Sequence, residues 1–465
     1  MNAYLNASRL RRAAGVASLA LLPLAGCSTV DESLAVVDPD IINPEDTQSP
    51  AAAAALRLGA FTRHNQATSG GESFWLLGGL MADEYRSGDT FVQRDQTDQR
   101  AVETNNGNVN TAFRAAHRAR VAAQIAARAL QTNEADAWQI AEMYMLQAYH
   151  ENQLTEHMCS GIPWSTIDEN GVEVEAAPST AIEGYERALA HVDSALALNT
   201  EGGDDSLRVA QAAAVIKGRI LLNLDRYAEA AAAVADVPTD FAVVNEHSET
   251  AQSNQMYALN ASAGRWTVSA GEPENGLNFA SNDPRVPVCK GVATAARHAP
   301  TASFTGVDEC PDRGDYADRT FDSAAPVPFI VQQIWPESGS PAAWVTGVEA
   351  RLIEAEAQLD ASNAPGALLT LNALRAEVPG LAPLLAVDVD VLFQERAFWL
   401  FSTGHRLGDL RRLIRQYGRG SEDVFPTGIW QAGAPYRTDV NFPIPQSEDN
   451  NSQAPNASAC LDRNA

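Results

Sequence analysis

The stretch "FQERAFWLFSTGHRLGDLRRL", Phe393 to Leu413, sets many ions in an apolar segment. Five apolar or aromatic residues fall within Ala397–Thr403, and Glu395, Arg396, His405, Arg406, Asp409, Arg411 and Arg412 flank them. Charges on a core-facing helix are costly unless paired. The segment is therefore either an active site or a structural ion network. Other residues with chemical potential are sparse. His150 and His157 lie two turns apart on one helical pattern, with Glu156 as the nearest third ligand for a metal. A solvated or core-satisfied histidine pair is the plainer reading, and no metal site is expected. Carboxylate pairs such as Asp388/Asp390 mean little in so acidic a chain. There is no G-x-S-x-G, no H-E-x-x-H, no P-loop and no nucleophile with a recognisable base. The expected role is non-enzymatic, with no cofactor.

Aromatic residues are more informative. Trp138 and Trp399 fall within helical patterns, where the default role is core. Trp75, Phe91, Trp266, Trp335 and Trp430 fall at helix ends or in irregular segments. A loop aromatic can offer a flat face to the axial C–H groups of a sugar ring while neighbouring Asn, Asp and Arg bind hydroxyls. Plugging the loop onto the body is the competing role. Trp75, Phe91, Trp266 and Trp335 are the candidate ligand contacts.

The elements that must carry these residues are helices. Apolar residues recur at helical spacing over Pro50–Arg63, Phe74–Asp83, Asn110–Leu130, Ala135–Glu156, Thr180–Leu198, Leu207–Leu224 and Tyr227–Ala235. A second cluster covers Ala342–Asp360, Gly366–Val378, Val389–Thr403 and Leu407–Tyr417. Gly218, Leu222, Tyr227 and Ala230 follow tetratricopeptide-like (TPR) offsets. Such helix pairs bury their apolar stripes only by stacking, although a plain α-bundle fits the same pattern. Val237–Pro341 is rich in Gly, Pro, Ser, Asn and Asp and too long for a simple loop. It reads as an irregular excursion with short strands at "RWTVSA" and "PFIVQQIW". The expected fold is all-α, with TPR-like helical repeats and one long irregular excursion. The regions are a leader at 1–26, an acidic tether at 27–50, a helical region at 51–240, the excursion at 241–341 and a second helical region with a tail at 342–465.

The first residues indicate a compartment. Arg9, Arg11 and Arg12 precede an apolar run from Ala13 to Leu24, too short to span a bilayer. "LAGC", Leu24 to Cys27, then reads as a lipoprotein cleavage site, with Cys27 as the lipid-bearing residue; several acyl chains anchor stably where one does not. Ser28–Pro50 is acidic and broken by Pro39 and Pro44, and lacks the apolar content to fold alone. Formal charge is −26, which disfavours nucleic acid as a partner. Cys159, Cys289, Cys310 and Cys460 remain after the leader. An even number in an exported protein suggests two disulfides, with three possible pairings. Cys289–Cys310 closes a short loop and is favoured, which leaves Cys159–Cys460.

Three C-terminal segments form an ordered set. The first, "ARLIEAEAQLDASNAPGALLTLNALRA", carries Arg351, Glu354, Ala355 and Glu356, then Ala367, Leu371, Asn372 and Arg375. The second is the opening stretch. The third is "NFPIPQSED", with Phe442 to Pro445 and Glu448. Together they resemble the C-terminal region of the SusD/RagB family of surface nutrient-binding lipoproteins. "ALRLGAF" followed by "LMADEY" looks like that family's first helices, "AFRAAHRARVAAQIAARAL" like its next one, and "SGIPWS" like its G-x-P-[LFW] turn. "NDPRV", Asn282–Val286, is similar to its DPR element. Two positions depart: the family's glutamates three residues after Arg396 and just before the glycine are here Trp399 and Thr403. The resemblance implies a lipid-anchored protein of the outer membrane, surface-exposed, that captures an oligosaccharide or peptide. It would pass the ligand to a SusC-like TonB-dependent transporter, with the TPR face toward the transporter. A TPR scaffold in envelope assembly is the alternative. In this setting the opening stretch reads as a helix, a break at Gly404 and a second helix from Leu407. Phe393, Ala397, Leu400 and Phe401 face the core, and Glu395, Arg396, Arg406 and Asp409 pair across the break.

Overall fold

The computed structural model describes residues 49–271, 274–290, 310, 328–430 and 433–464. The leader at 1–26, Cys27 and nearly all of the tether lie outside the described residues.

Several helices begin where a side chain satisfies the free N–H groups of a first turn. Ser49 Oγ accepts from Ala52 N, with Pro50 in the first turn, and α1 runs Pro50–Gln66. Ser73 caps α2, Phe74–Met81, whose residues are all buried. Next come α3, Val92–Asp98, and α4, Gly107–Thr132, capped by Asn106. Then follow α5, Ala137–His157, and α6, Ala181–Leu198, where Thr180 and Glu183 form a capping box. The first cluster ends with α7, Asp204–Asn223, and α8, Tyr227–Val234. The second holds α9, Gly347–Asp360, α10, Ala364–Ala376, α11, Val389–Trp399, α12, Arg406–Arg415, and the short α13, Ser421–Val424.

These helices stack in sequence order. α1 packs on α4, α4 on α5, α5 on α6, and so on through α10. Small residues allow close approach: α4 buries Ala112, Ala116, Ala119, Ala123 and Ala126. At Gly218 of α7 an added Cβ would lie 2.7 Å from Val234 Cγ1 of α8. The fold is all-α in character, a stack of helix pairs around one large apolar core.

Among the described residues the strands are short and pair in twos. β1, Tyr85–Ser87, precedes α3. β2, Ile162–Pro163, and β3, Thr166–Ile167, pair with β5, Pro178–Ser179, and β4, Glu173–Val174, respectively. β6, Ala242–Asn245, β7, Trp266–Val268, β8, Val288–Lys290, β9, Ile330–Gln332, and β10, Ala342–Thr346, follow. β1 pairs with β7, β6 with β10 and β8 with β9, all antiparallel. A single turn of π-helix, Tyr257–Ser262, precedes β7.

The β6–β10 ladder joins the two ends of the excursion. It also corrects the helical expectation for Ala342–Asp360, whose first five residues are strand. Thr346 Oγ1 caps α9 by accepting from Glu349 N. Gly347 starts that helix because a Cβ there would sit 1.9 Å from Pro238 O. Helix α11 likewise stops at Trp399 rather than Thr403. Ser402 and Gly404 take positive φ values of 57° and 78°, and Ser402 N donates to Glu84 Oε1 at 2.7 Å. A buried carboxyl oxygen on a distant segment has replaced the helical acceptor.

Cys289 is bonded to Cys310, and Cys159 to Cys460. Backbone bonds also stitch the tail to the end of α5. Cys159 N donates to Phe442 O at 2.8 Å, and Phe442 N to His157 O at 2.9 Å.

Candidate functional site

The ions of the opening stretch are buried and paired. Arg396, on α11, meets Asp409, on α12, through two bonds of 2.8 and 2.9 Å. Arg412 Nη2 also donates to Asp409 Oδ1 at 2.8 Å, and the same guanidinium grips Glu356 of α9. Burial alone would raise the Asp409 carboxyl; Arg396 and Arg412 more than offset it and hold it well below the usual carboxylate range. Only the Arg396–Asp409 pair spans the break. Arg406 instead forks onto Asp83 at 2.6 and 2.7 Å, and Glu395 accepts from Arg375 at 2.6 Å and Arg285 at 2.8 Å. The expected local clamp is thus corrected. Its partners come from the residues just after α2, the DPR element, α9 and α10, and the network ties these four parts of the chain to the α11–α12 stretch. Arg411 caps α5, donating to the carbonyls of Thr155, Glu156 and Met158. Each of these carboxylates is engaged by arginine, which suits a scaffold and leaves none of them free as a base.

The histidine pair is also structural. Burial pushes both His150 and His157 down to about 3, so both are neutral at ordinary pH. His150 Nε2 shares a hydrogen bond of 3.0 Å with His64 Nδ1, and His157 Nδ1 lies 2.8 Å from Gln153 O. Glu156 is engaged elsewhere, by Asn223 Nδ2 at 2.7 Å. Among the described residues no group of three His, Cys, Asp or Glu side chains is placed to hold a metal ion.

The four candidate ligand aromatics separate. Trp75 is fully buried on α2, and its Nε1–H donates to Tyr149 Oη at 2.9 Å. Trp266 is fully buried in β7, 5.7 Å ring to ring from Tyr85. Neither can present a face to a ligand. A place at a helix end or in an irregular segment does not set depth; the tertiary fold covers both rings. Trp335 is 5% exposed and reaches the wall of a cavity.

Phe91 is the one that faces solvent, 55% exposed at the start of α3. Arg94 and Arg265 each hold a guanidinium 5.2 Å from its ring centroid. Both arginines pair with the buried carboxylate of Asp89, and Arg94 also binds Glu72, at 2.8 Å through Nε. The result is an exposed apolar face in a fixed frame of guanidinium and carboxylate groups. It can stack on the C–H face of a sugar ring while the frame meets hydroxyls. Asp89 and Arg265 were not legible as site residues. Arg94 carried a faint signal, one helical turn after Phe91.

No family model matches this sequence, and no curated protein matches it either. Solved structures do match. A SusD superfamily protein from Parabacteroides distasonis superposes with a TM-score of 0.62 at 15% identity, covering 87% of this chain and 98% of its own. Surface glycan-binding protein A from Bacteroides uniformis gives 0.58 at 14% identity, covering 86% and 97%. A laminarin binding SusD-like protein gives 0.54 at 14% identity, covering 88% and 98%. At these identities the likeness establishes the fold.

Proposed function

We propose that this chain, which has the SusD fold, is a non-enzymatic binding protein for an oligosaccharide. It is held at the outer membrane surface by lipid on Cys27 and hands its ligand to a SusC-like TonB-dependent transporter. The fold shared with a surface glycan-binding protein and a laminarin binding protein, over most of each chain, carries this reading. The exposed Phe91 ring in its charged frame supplies a matching contact. The lipoprotein pattern at Leu24–Cys27 supports the address.

The test is a glycan array followed by calorimetry with the full chain in detergent. At least one oligosaccharide should bind, and Phe91→Ala should weaken it at least tenfold while the melting temperature stays within about a degree. An exposed side chain away from the core contributes little to stability. Binding of peptides alone, or of no probe, would overturn the reading.

A further inference from the structure

Glu84 joins the buried ion network to the segment that carries Phe91. Its backbone is held on both sides: Glu84 N donates to Gly79 O at 2.9 Å, and Ser269 N donates to Glu84 O at 3.0 Å. Strand β1 follows directly, and only three residue pairs hold it to β7. Gly88 N then donates to Arg265 O at 2.8 Å. Asp89, the carboxylate that fixes Arg94 and Arg265 around Phe91, comes next.

The Glu84 side chain is buried and reaches the turn between α11 and α12. Oε1 accepts from Ser402 N at 2.7 Å, and the adjoining Tyr85 donates through Oη to Ser402 Oγ at 3.0 Å. Oε2 has no hydrogen-bond partner and lies against Gly79, where an added Cβ would sit 2.3 Å from it. The charges around it give no free cation. Arg406 of α12 is engaged by Asp83 through two bonds. Asp83 and Asp409 add negative charge. Burial raises the Tyr85 phenol and keeps it neutral. Helix α2, strand β7 and residues 400–404 bring no titratable side chain. A carboxyl with one bare oxygen in such a place is tolerable when neutral and costly when charged.

We propose that Glu84 is a proton-operated latch: protonated, it holds β1 to the α11–α12 turn and so fixes the Phe91 segment, and loss of its proton lets that segment lift. Burial, with Asp83 adding to it, raises the carboxyl in the closed state to about 8, against an ordinary 4.5 once water reaches it. Lifting is therefore rarest in acid and grows about tenfold per pH unit between these two values. It levels off above them, where both states are ionised. The Phe91 frame is firmest below neutral pH. That this regulates ligand binding rests on the oligosaccharide reading; the latch itself does not.

The test needs no ligand, so its failure and a failure of the oligosaccharide reading are separable. Amide hydrogen exchange of the full chain, divided by the chemical exchange rate, gives an opening constant at each site. The amides of Gly88, Ser269 and Ser402 should open more often than those of the buried Ala188 and Val192 of α6. Their opening constants should rise about tenfold per pH unit from about pH 5 to about 8. Glu84→Gln keeps the shape and cannot ionise; its constants should be flat over that range. Infrared difference spectra of the wild type carry the test if that variant fails to fold. A protonated carboxyl band should be present at neutral pH and lost as pH rises through about 8. Opening constants independent of pH, the same rise in Glu84→Gln, opening no more frequent than in α6, or no protonated carboxyl at neutral pH would overturn the proposal.

Discussion

Glu84 and Asp409 titrate in opposite directions within one buried network. Burial pushes the Glu84 carboxyl up to about 8, despite the Ser402 N–H that it accepts, and the neighbouring Asp83 adds to the rise. The folded state therefore keeps a proton that the unfolded chain releases near pH 4.5. Stability from this group is full below that pH and is lost as pH rises through about 8. Glu84→Gln mimics the protonated form. It should flatten the fall in stability between pH 4.5 and 8, and stabilise the protein at pH 8 by on the order of 4 kcal/mol at 1.36 kcal/mol per unit. Denaturant melts across that window measure it; an unchanged pH profile would show Glu84 to be ionised in the fold. Asp409 and Glu349 have the reverse sign. Burial would raise Glu349, but Arg219 and His405 hold it down to about 2. Stability from both groups is present above their unfolded values and lost as pH falls. Asp409→Ala leaves Arg396 with only the longer, 3.7 Å contact to Glu356 and removes one of the two partners of Arg412 in the core. It should cost about 3–5 kcal/mol, the usual cost of breaking a buried pair. A wild-type urea midpoint would remove the network from the account of stability.

At the scale of elements, the break between α11 and α12 is where sequence and structure meet most closely. Gly404 has φ +78°, and a Cβ there would lie 2.5 Å from Trp75 Cδ1. Trp75 cannot retreat, because it is buried and bonded to Tyr149. Gly404→Ala thus meets both a left-handed backbone and a fixed indole. It should destabilise by about 2–4 kcal/mol, combining the backbone penalty with overpacking. A loss below about 1 kcal/mol would mean that α2 shifts to admit the methyl group. The glycine was legible as a break, and the buried stripe Phe393, Ala397, Leu400 and Phe401 was legible from helical spacing. The partner that makes the glycine obligatory was not, since Trp75 lies more than three hundred residues earlier.

Over the whole molecule, the two clusters of helices close on each other through long-range polar ties. Arg219 of α7 binds Glu349 of α9, Arg406 binds Asp83, and Arg100 donates to the carbonyls of Pro426 and Asp439. The Cys159–Cys460 bond adds a covalent tie across 301 positions. Cys460→Ser should lower stability by about 2–5 kcal/mol, as loss of a native disulfide does. The reduced wild type, which also loses Cys289–Cys310, should melt no higher than this variant. A melting temperature equal to the oxidised wild type would show that the backbone bonds between the tail and α5 hold it unaided.

The sequence by itself determined most of the helices and the need for every ion near Gly404 to find a partner. Apolar period, turn residues and the cost of burying charge are local quantities, readable along one chain. Only the tertiary structure decided which partners those ions take, because Asp83, Arg285, Glu356 and Arg375 arrive from distant segments. Depth was decided the same way. Trp75, Trp266 and Phe91 all lie where helices begin or strands are short, yet two are sealed and one is open. Burial is a property of what packs on top of a residue, and no local pattern carries it.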